Sequence, residues 1–141
     1  TLMSYEDFAR IESRKVMQGR FSVRDYFFRF VKDWSEIDEK YGDIYYVNVG
    51  YARVKATVVD DSESIFTPCM YRIGDVRLLE GSQVGPIREI ASFRGRFCEQ
   101  AKEGEEVLVQ GKVERVRHKR GDLEYFRLLL GSKPSDFMIL A

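Results

Sequence analysis

Cysteine, histidine and proline are scarce in this sequence. The 141 residues include two cysteines, Cys69 and Cys98, one histidine and three prolines. A zinc site with four Cys/His ligands and a disulfide scaffold are both excluded, because each needs more of these side chains at close spacing. The two cysteines are expected to be reduced and buried, as is usual in an intracellular protein. The low proline content and the 13% of aromatic residues argue against a disordered chain.

The sequence also lacks a long apolar run and a net charge. No stretch approaches the ~18 consecutive apolar residues that a membrane-spanning helix needs, so we expect no membrane partner. The N-terminal residues mix charged and apolar side chains, which is unlike a signal peptide, and a cytoplasmic location is expected. The 23 basic side chains equal the 23 acidic ones. A protein that holds duplex DNA by its overall charge is normally basic, so any nucleic-acid binding has to depend on a local patch.

The N-terminal part of the chain has the pattern of helices. Ser4 and Asp7 form a helix-capping signature, and Ser22 and Asp25 repeat it. The second signature leads into apolar residues at alternating spacings of three and four, which are Val23, Phe27, Phe30, Trp34, Ile37 and Tyr41. This stripe predicts an amphipathic helix over residues 22–41, with Trp34 buried in the core.

Beyond residue 43 the hydrophobic period changes to about two, and β-branched and aromatic residues predominate. Strands are predicted at 44–59, 65–73, 76–79, 89–93, 105–117, 123–130 and 136–140. A bulge is expected at Gly50, and a hairpin is expected to join the strands at 105–117 and 123–130. The predicted class is α+β, with N-terminal helices packed on a mainly antiparallel β-barrel. Residues 1–42 would form the helical segment and residues 43–141 the barrel domain.

No arrangement of residues indicates a catalytic or a metal site. The single histidine, His118, lies among basic residues near a predicted hairpin tip and is interpreted as a surface side chain. Asp60 and Asp61 are neighbours in sequence and would point to opposite faces of a strand, so a turn is a better interpretation than a pair of metal ligands. The segment GSKPSD at 131–136 matches a nucleotidyltransferase motif only in part, and we interpret that match as coincidence.

The strongest functional signal is a set of cations beside aromatic residues. The segment SFRGRF at 92–97 alternates arginine with phenylalanine, and the predicted hairpin tip at 112–120 has five basic residues against one acid. Basic groups pair with phosphates while aromatic rings stack on bases, which suits single-stranded nucleic acid. The candidate contacts to nucleic acid or phosphate are Phe93, Arg94, Arg96, Phe97, Arg115, Arg117, Lys119 and Arg120. In the alternative interpretation both phenylalanines are core residues, and the arginines pair with Glu99, Glu103, Glu105 and Glu106.

Three parts of the chain carry a resemblance to a known family. They are SFRGRFCEQAKEGEEVLVQGKVERV at 92–116, LEYFRLLLGS at 123–132 and DFMIL at 136–140. Together they resemble the C-terminal region of archaeal predicted nucleotidyltransferases, which are similar to the minimal, polymerase-β-type enzymes. The segments YVNVGYARVKATVVD at 46–60 and IFTPCMYRI at 65–73 extend the resemblance to most of residues 44–140.

The resemblance implies an accessory rather than a catalytic part. In that family an N-terminal α/β domain holds Mg²⁺ and the nucleoside triphosphate with a Gly-Ser turn and two or three acids, and none of these is found here. Residues 1–18 are expected to be the tail of such a domain, and the isolated chain is expected to be inactive and to hold no cofactor. It would bind nucleic acid or another phosphorylated substrate. The alternatives are a complete small nucleotidyltransferase and a structural or assembly domain that associates with itself.

Overall fold

The structure is a computed structural model, and it describes residues 4–15, 18–21, 24–27, 44–118 and 123–141. These residues contain one helix and eight strands, which are α1 (Tyr5–Ser13), β1 (Gln18–Phe21), β2 (Arg24–Phe27), β3 (Ile44–Asp60), β4 (Cys69–Gly81), β5 (Ile87–Ser92), β6 (Glu106–His118), β7 (Glu124–Leu130) and β8 (Phe137–Leu140). A single 3₁₀ turn, Gly95–Phe97, lies between β5 and β6. The described part is mostly β, so the predicted α+β class with packed N-terminal helices is wrong.

Helix α1 begins where the first capping signature predicts. The Ser4 hydroxyl accepts a hydrogen bond from the Asp7 backbone N–H at 3.2 Å, which satisfies one of the free donors of the first turn. The Ile11 side chain is buried while Phe8 is exposed. No helix in the described part of the chain has the length and apolar character needed to cross a membrane.

The helix predicted over residues 22–41 is wrong where the structure describes it. Arg24–Phe27 forms strand β2, which pairs antiparallel with β1 in the register Phe21↔Arg24 to Gln18↔Phe27. Tyr26 and Phe27 have high strand propensity, and the predicted apolar stripe includes only Phe27 of these four residues. The rest of the predicted helix, including Trp34, lies outside the described residues.

Five strands pair in a closed cycle in the order β3, β4, β5, β7 and β6, with β6 returning to β3. Every pair in the cycle is antiparallel except β5 with β7, which is parallel. Strand β8 is added to β6 at residues 107–110. The predicted mainly antiparallel barrel is therefore corrected to a five-stranded ring with one parallel pair and one strand added at the side.

Several local predictions for this ring are confirmed. The register of β3 against β6 shifts between Asn48 and Gly50, which is the predicted bulge, and Gly50 has a φ of +141° there. Strands β6 and β7 form the predicted hairpin.

The prediction of two separate strands at 65–73 and 76–79 is wrong, since strand β4 runs unbroken from Cys69 to Gly81. Irregularities in the pairing of β4 with β3 interrupt the alternation of its side chains, which is why the sequence pattern divides it.

The core fills the inside of the ring. Alternate residues of β3 and β6 point inward, and the fully buried side chains include Val54, Val58, Val107 and Val109. Each such side chain contributes about 1.5–3 kcal/mol by leaving water. Tyr71 is buried among them, where its hydroxyl donates to the Phe97 carbonyl and accepts from the Gln100 N–H.

The two cysteines belong to this core as buried, unbridged thiols, which confirms the prediction for them. The side chains of Cys69 and Cys98 hydrogen-bond with each other. That bond lowers the pKa of Cys98 to about 7, while the same bond and burial raise the pKa of Cys69. Both thiols lie where the start of β4 meets the 3₁₀ turn.

Helix α1 is attached to the ring at its C-terminal end. Arg14 Nη1 lies 2.8 Å from Glu105 Oε2, and Nη2 lies 3.0 Å from Oε1, so the two side chains form a bidentate ion pair. Lys15 Nζ donates to the Arg96 carbonyl at 2.8 Å. These contacts join the helix to the connection between β5 and β6.

The cyclic order and the single parallel pair give the strand connectivity of the OB-fold. In that five-stranded Greek-key arrangement the first strand, here β3, pairs with both the second and the fourth, and the third pairs in parallel with the fifth. Fold alone does not determine function, so the function has to be argued from the side chains on the surface.

Candidate functional site

The structure divides the predicted basic cluster into two groups at opposite ends of β7. Arg94 and Arg96 follow β5, whose last residue pairs with Leu130 at the end of β7. Arg115 and Arg117 pair with Phe126 and Glu124 near the start of β7. At ~3.3 Å per residue, these pairs lie about 13–20 Å from Leu130 along the strand. The remaining two predicted contacts, Lys119 and Arg120, lie outside the described residues.

Arg94 and Arg96 line an open cleft with a volume of about 490 Å³, which we call the Arg94 cleft. One wall comes from the connection after β5 and the other from the turn after β7, because the parallel pairing of these strands brings their ends together. The residues that line the cleft are Arg94, Gly95, Arg96, Gly131, Ser132, Lys133 and Pro134.

The turn after β7 is held by a buried carboxylate. Asp136 is 5% exposed, and its Oδ2 accepts hydrogen bonds from the backbone N–H groups of Gly131 and Lys133, each at 3.1 Å. These bonds fold residues 131–136 into a compact turn. The turn therefore presents the side chains of Ser132 and Lys133 in a defined place.

Tyr51 of β3 contacts the same turn. Lys133 Nζ lies 3.7 Å from the centroid of the Tyr51 ring, a cation–π contact, and the Ser132 side chain hydrogen-bonds with the Tyr51 side chain. Partial burial and, second, the charge of Asp136 raise the pKa of Tyr51. Lys133 is therefore positioned by an aromatic ring rather than by a carboxylate.

The two arginines of the cleft are also positioned by uncharged partners. Arg96 Cζ lies 4.7 Å from the centroid of the Phe97 ring, so its guanidinium stacks on that ring. The Arg94 side chain lies across Gly131, where a Cβ would stand 2.5 Å from Arg94 Cγ. Glycine at position 131 therefore makes room for Arg94.

Two of the four acids that were candidates for pairing with these arginines bind other cations. Glu105 binds Arg14, and Glu106 Oε1 lies 2.9 Å from Lys55 Nζ. Within the described part of the chain, no carboxylate lies within 4.0 Å of the charged groups of the three cleft cations, Arg94, Arg96 and Lys133. Their charge remains available to an anionic ligand.

The two phenylalanines of the predicted cluster lie in different environments. Phe93 is 60% exposed and directly precedes Arg94, whereas Phe97 is 4% exposed and packs in the core. Phe93 is therefore able to stack on a base. Phe97 serves as the platform on which the Arg96 guanidinium rests.

The second basic group has a different setting. Arg115 lies between Val47 and Phe126 in neighbouring strands, and Arg117 lies between Tyr45 and Glu124. Cross-strand pairing places cations beside apolar and aromatic side chains here too, but along a strand surface rather than around a cleft.

A second groove crosses the outer face of β4 and β5. It has a volume of about 520 Å³ and is lined by Asp60, Ser62, Glu63, Met70, Arg72, Arg88, Glu89, Leu123 and Tyr125. Its three carboxylates outnumber its two arginines, and burial together with the charge of Glu89 raises the pKa of Tyr125. Phosphate is less well matched to this groove than to the Arg94 cleft.

Asp60, one of the two neighbouring acids considered as metal ligands, lies in an ordinary structural setting. Asp60 ends β3, and its Oδ1 accepts the backbone N–H of Ser62 at 2.8 Å, which confirms the turn predicted there. In the part of the chain that the structure describes, no three His, Cys, Asp or Glu side chains are grouped closely enough to hold a metal ion.

Sequence reasoning misses three residues that form or support the Arg94 cleft. Ser132 and Lys133 belong to the segment GSKPSD, which the sequence presents only as a chance match to an enzyme motif, and Tyr51 is predicted only as part of a strand. The Gly, Pro, Ser and Asp content of that segment indicates a turn. Its position opposite Arg94 depends on the pairing of β5 with β7, which the local sequence does not reveal.

Comparison with known proteins gives one archaeal relative and no function. The chain is 33% identical, over 135 residues, to uncharacterized protein MJ1086 of Methanocaldococcus jannaschii. The alignment covers 96% of this chain and 38% of that protein, so the chain spans well under half of the length of the curated relative it matches. No protein-family model and no solved structure matches the chain.

Proposed function

We propose that this chain binds single-stranded nucleic acid, with phosphate in the Arg94 cleft and a base stacked on Phe93. The proposal rests on how the three cations of the cleft, Arg94, Arg96 and Lys133, are held in place. Arg96 and Lys133 rest on aromatic rings and Arg94 lies across a glycine, so each is positioned without being neutralised. Such cations bind an anion without first giving up a carboxylate partner.

A single strand fits this surface better than a duplex. The chain has no net charge, so it offers no general attraction to the dense charge of duplex DNA. The exposed ring of Phe93 next to the cleft needs an unpaired base as its partner. OB-fold connectivity supports the same ligand class by analogy, since this fold commonly binds oligonucleotides.

The wider role that the sequence resemblance implies is also a proposal. The chain would then be the accessory, non-catalytic part of a nucleotidyltransferase-like protein, and the isolated chain would not transfer nucleotides. Mg²⁺ and a nucleoside triphosphate would belong to a separate catalytic domain. The proposal for single-stranded nucleic acid does not depend on this relationship, because it is argued from the cleft.

The test is a titration of fluorescent oligothymidylate at several salt concentrations. Each phosphate contact contributes about −0.7 to the slope of log K against log salt for a single strand. Replacing Arg94 and Arg96 together by alanine is expected to make the slope shallower by about 1.4, if both contact phosphate. Replacing Phe93 by alanine is expected to weaken binding by about 1–3 kcal/mol with stability unchanged.

Matched variants separate this site from general effects of charge. The control for the arginines is replacement of Arg72 and Arg88 by alanine, which removes the same charge from the second groove. The control for Phe93 is Tyr5→Ala, since Tyr5 is an exposed aromatic residue on α1. A slope that responds to Arg72 and Arg88 instead of Arg94 and Arg96 would place the ligand in the second groove. Absence of binding at low salt would refute the function.

A further inference from the structure

We propose that the Arg94 cleft recognises a terminal phosphate, a phosphomonoester at one end of a strand, in preference to the phosphodiesters within the strand. The inference rests on the proposed function and adds the chemical group that the cleft selects. Three cations line one cleft of about 490 Å³, whereas an internal phosphodiester carries a single negative charge. A phosphomonoester carries about −1.5 to −2 at pH 7, which matches the cleft more closely.

The hydrogen-bond donors of the cleft also favour a phosphomonoester. The backbone N–H groups of Gly131 and Lys133 already donate to Asp136, and the Ser132 side chain is bonded to Tyr51. These three groups are therefore occupied, and Arg94, Arg96 and Lys133 are the cations that line the cleft. Two guanidinium forks and one ammonium group offer more donors than the two free oxygens of a phosphodiester can accept well, and a phosphomonoester adds a third terminal oxygen.

The residues around the cleft also suit the end of a strand. Gly95 lines the cleft and has no side chain to obstruct it. Phe93 lies immediately before Arg94 and is exposed, so it is placed to stack on the base that carries the phosphate. Base stacking and phosphate binding would then act on the same terminal nucleotide.

Binding of three forms of one oligonucleotide tests the inference. Oligothymidylates of about ten nucleotides carry an internal fluorophore and end in a 5′-phosphate, a 3′-phosphate or hydroxyl groups only. One of the phosphorylated forms is expected to bind at least about tenfold more tightly than the hydroxyl form, the factor that one additional bond to a charged group provides. The form that binds tightly identifies which end of the strand the cleft takes.

A lysine variant and its control connect the preference to the cleft. Lys133→Met removes the charge but retains an unbranched side chain over Tyr51, and it is expected to reduce the preference to less than about threefold. Lys102→Met removes an exposed charge that does not line the cleft and is expected to leave the preference intact. Circular dichroism and thermal unfolding establish that both variants are folded.

The pH dependence gives a second readout. The second ionisation of a phosphomonoester has a pKa of about 6, so the preference is expected to be full at about pH 7.5 and to decline toward about pH 5. The charged and titratable groups at the cleft are Arg94, Arg96, Lys133, Tyr51 and Asp136. Dividing by the affinity of the hydroxyl form at each pH removes those effects of protein titration that change both affinities equally.

Each outcome decides between the two proposals. If all three oligonucleotides bind equally, the terminal-phosphate inference is wrong while single-stranded binding stands. If none binds at low salt, the proposed function fails as well. A preference that persists in Lys133→Met, or that does not change with pH, would also overturn the inference.

Discussion

At the scale of single residues, Gly131 controls the geometry of the cleft. Its φ is +100°, in the left-handed region that favours glycine, and a Cβ there would lie 2.5 Å from Arg94 Cγ. Gly104 has a φ of +87°, but a Cβ added there would meet no neighbouring side chain or backbone atom within 4 Å. Both glycines therefore have a positive φ, but only Gly131 is in close contact with another side chain, that of Arg94.

We expect Gly131→Ala to destabilise the fold more than Gly104→Ala. Both substitutions strain a positive φ, at a cost of about 1–3 kcal/mol. Only the first also displaces Arg94, which is expected to add about 1 kcal/mol and to weaken oligonucleotide binding. Urea denaturation and the binding titration measure the two effects. Equal losses of stability and unchanged binding by both variants would show that the glycine does not position Arg94.

At the scale of the element, the ion pair between Arg14 and Glu105 attaches helix α1 to the ring. Hydrogen bonds from the Arg14 guanidinium lower the pKa of Glu105. The Lys102 backbone N–H, which donates to Glu105 Oε1 at 2.7 Å, lowers it further. Folding therefore favours the ionised carboxylate. The stabilisation that the Glu105 carboxylate contributes is full at a pH above the pKa of this carboxyl in the unfolded chain. It is lost as the pH falls through the lower pKa that the carboxyl has in the folded state.

The pH dependence of a Glu105→Gln variant tests this attachment. At neutral pH the substitution is expected to reduce the free energy of unfolding by about 1 kcal/mol, the upper part of the range for partly exposed ion pairs. The difference from the wild type is expected to shrink below about pH 4.5, where the unfolded carboxyl is protonated, and to vanish in stronger acid. Glu103→Gln, an exposed change in the same loop, is the control. A difference independent of pH would contradict the ion-pair account.

At the scale of the whole molecule, closing the ring assembles the candidate site. Arg94 follows β5 and Lys133 follows β7, and both line the cleft, while Tyr51 in β3 supports Lys133. An unfolded chain does not hold these residues together. A ligand of the cleft therefore binds the folded state and stabilises it by mass action.

The expected stabilisation can be measured by unfolding with and without oligonucleotide. At a ligand concentration of about 100 Kd, the free energy of unfolding is expected to increase by about 2.7 kcal/mol. The variant with Arg94 and Arg96 replaced by alanine is expected to gain far less at the same concentration. If the wild type and this variant gain equally, the ligand binds somewhere other than the Arg94 cleft.

Many elements of the ring could be predicted from the sequence because their signals are local. Alternation of apolar and polar residues identifies the strands, as in β3 and β6, since one face of each is buried. The cap at Ser4 and the bulge at Gly50 are likewise properties of a few neighbouring residues. The exposed or buried state of Phe93 and Phe97 could not be predicted, because either position fits a short aromatic and basic segment.

What the sequence by itself determined is the presence of most strands from β3 to β8, although not the continuity of β4, and of cations beside aromatic residues at 92–97. Only the tertiary structure decided the cyclic strand order, the strand at Arg24–Phe27, and the separation of Arg94 and Arg96 from Arg115 and Arg117. It also decided that Lys133 joins Arg94, because β5 pairs in parallel with β7. The physical reason is that strand pairing depends on hydrogen bonds and packing between distant segments, whereas periodicity reports only which face of one segment is buried.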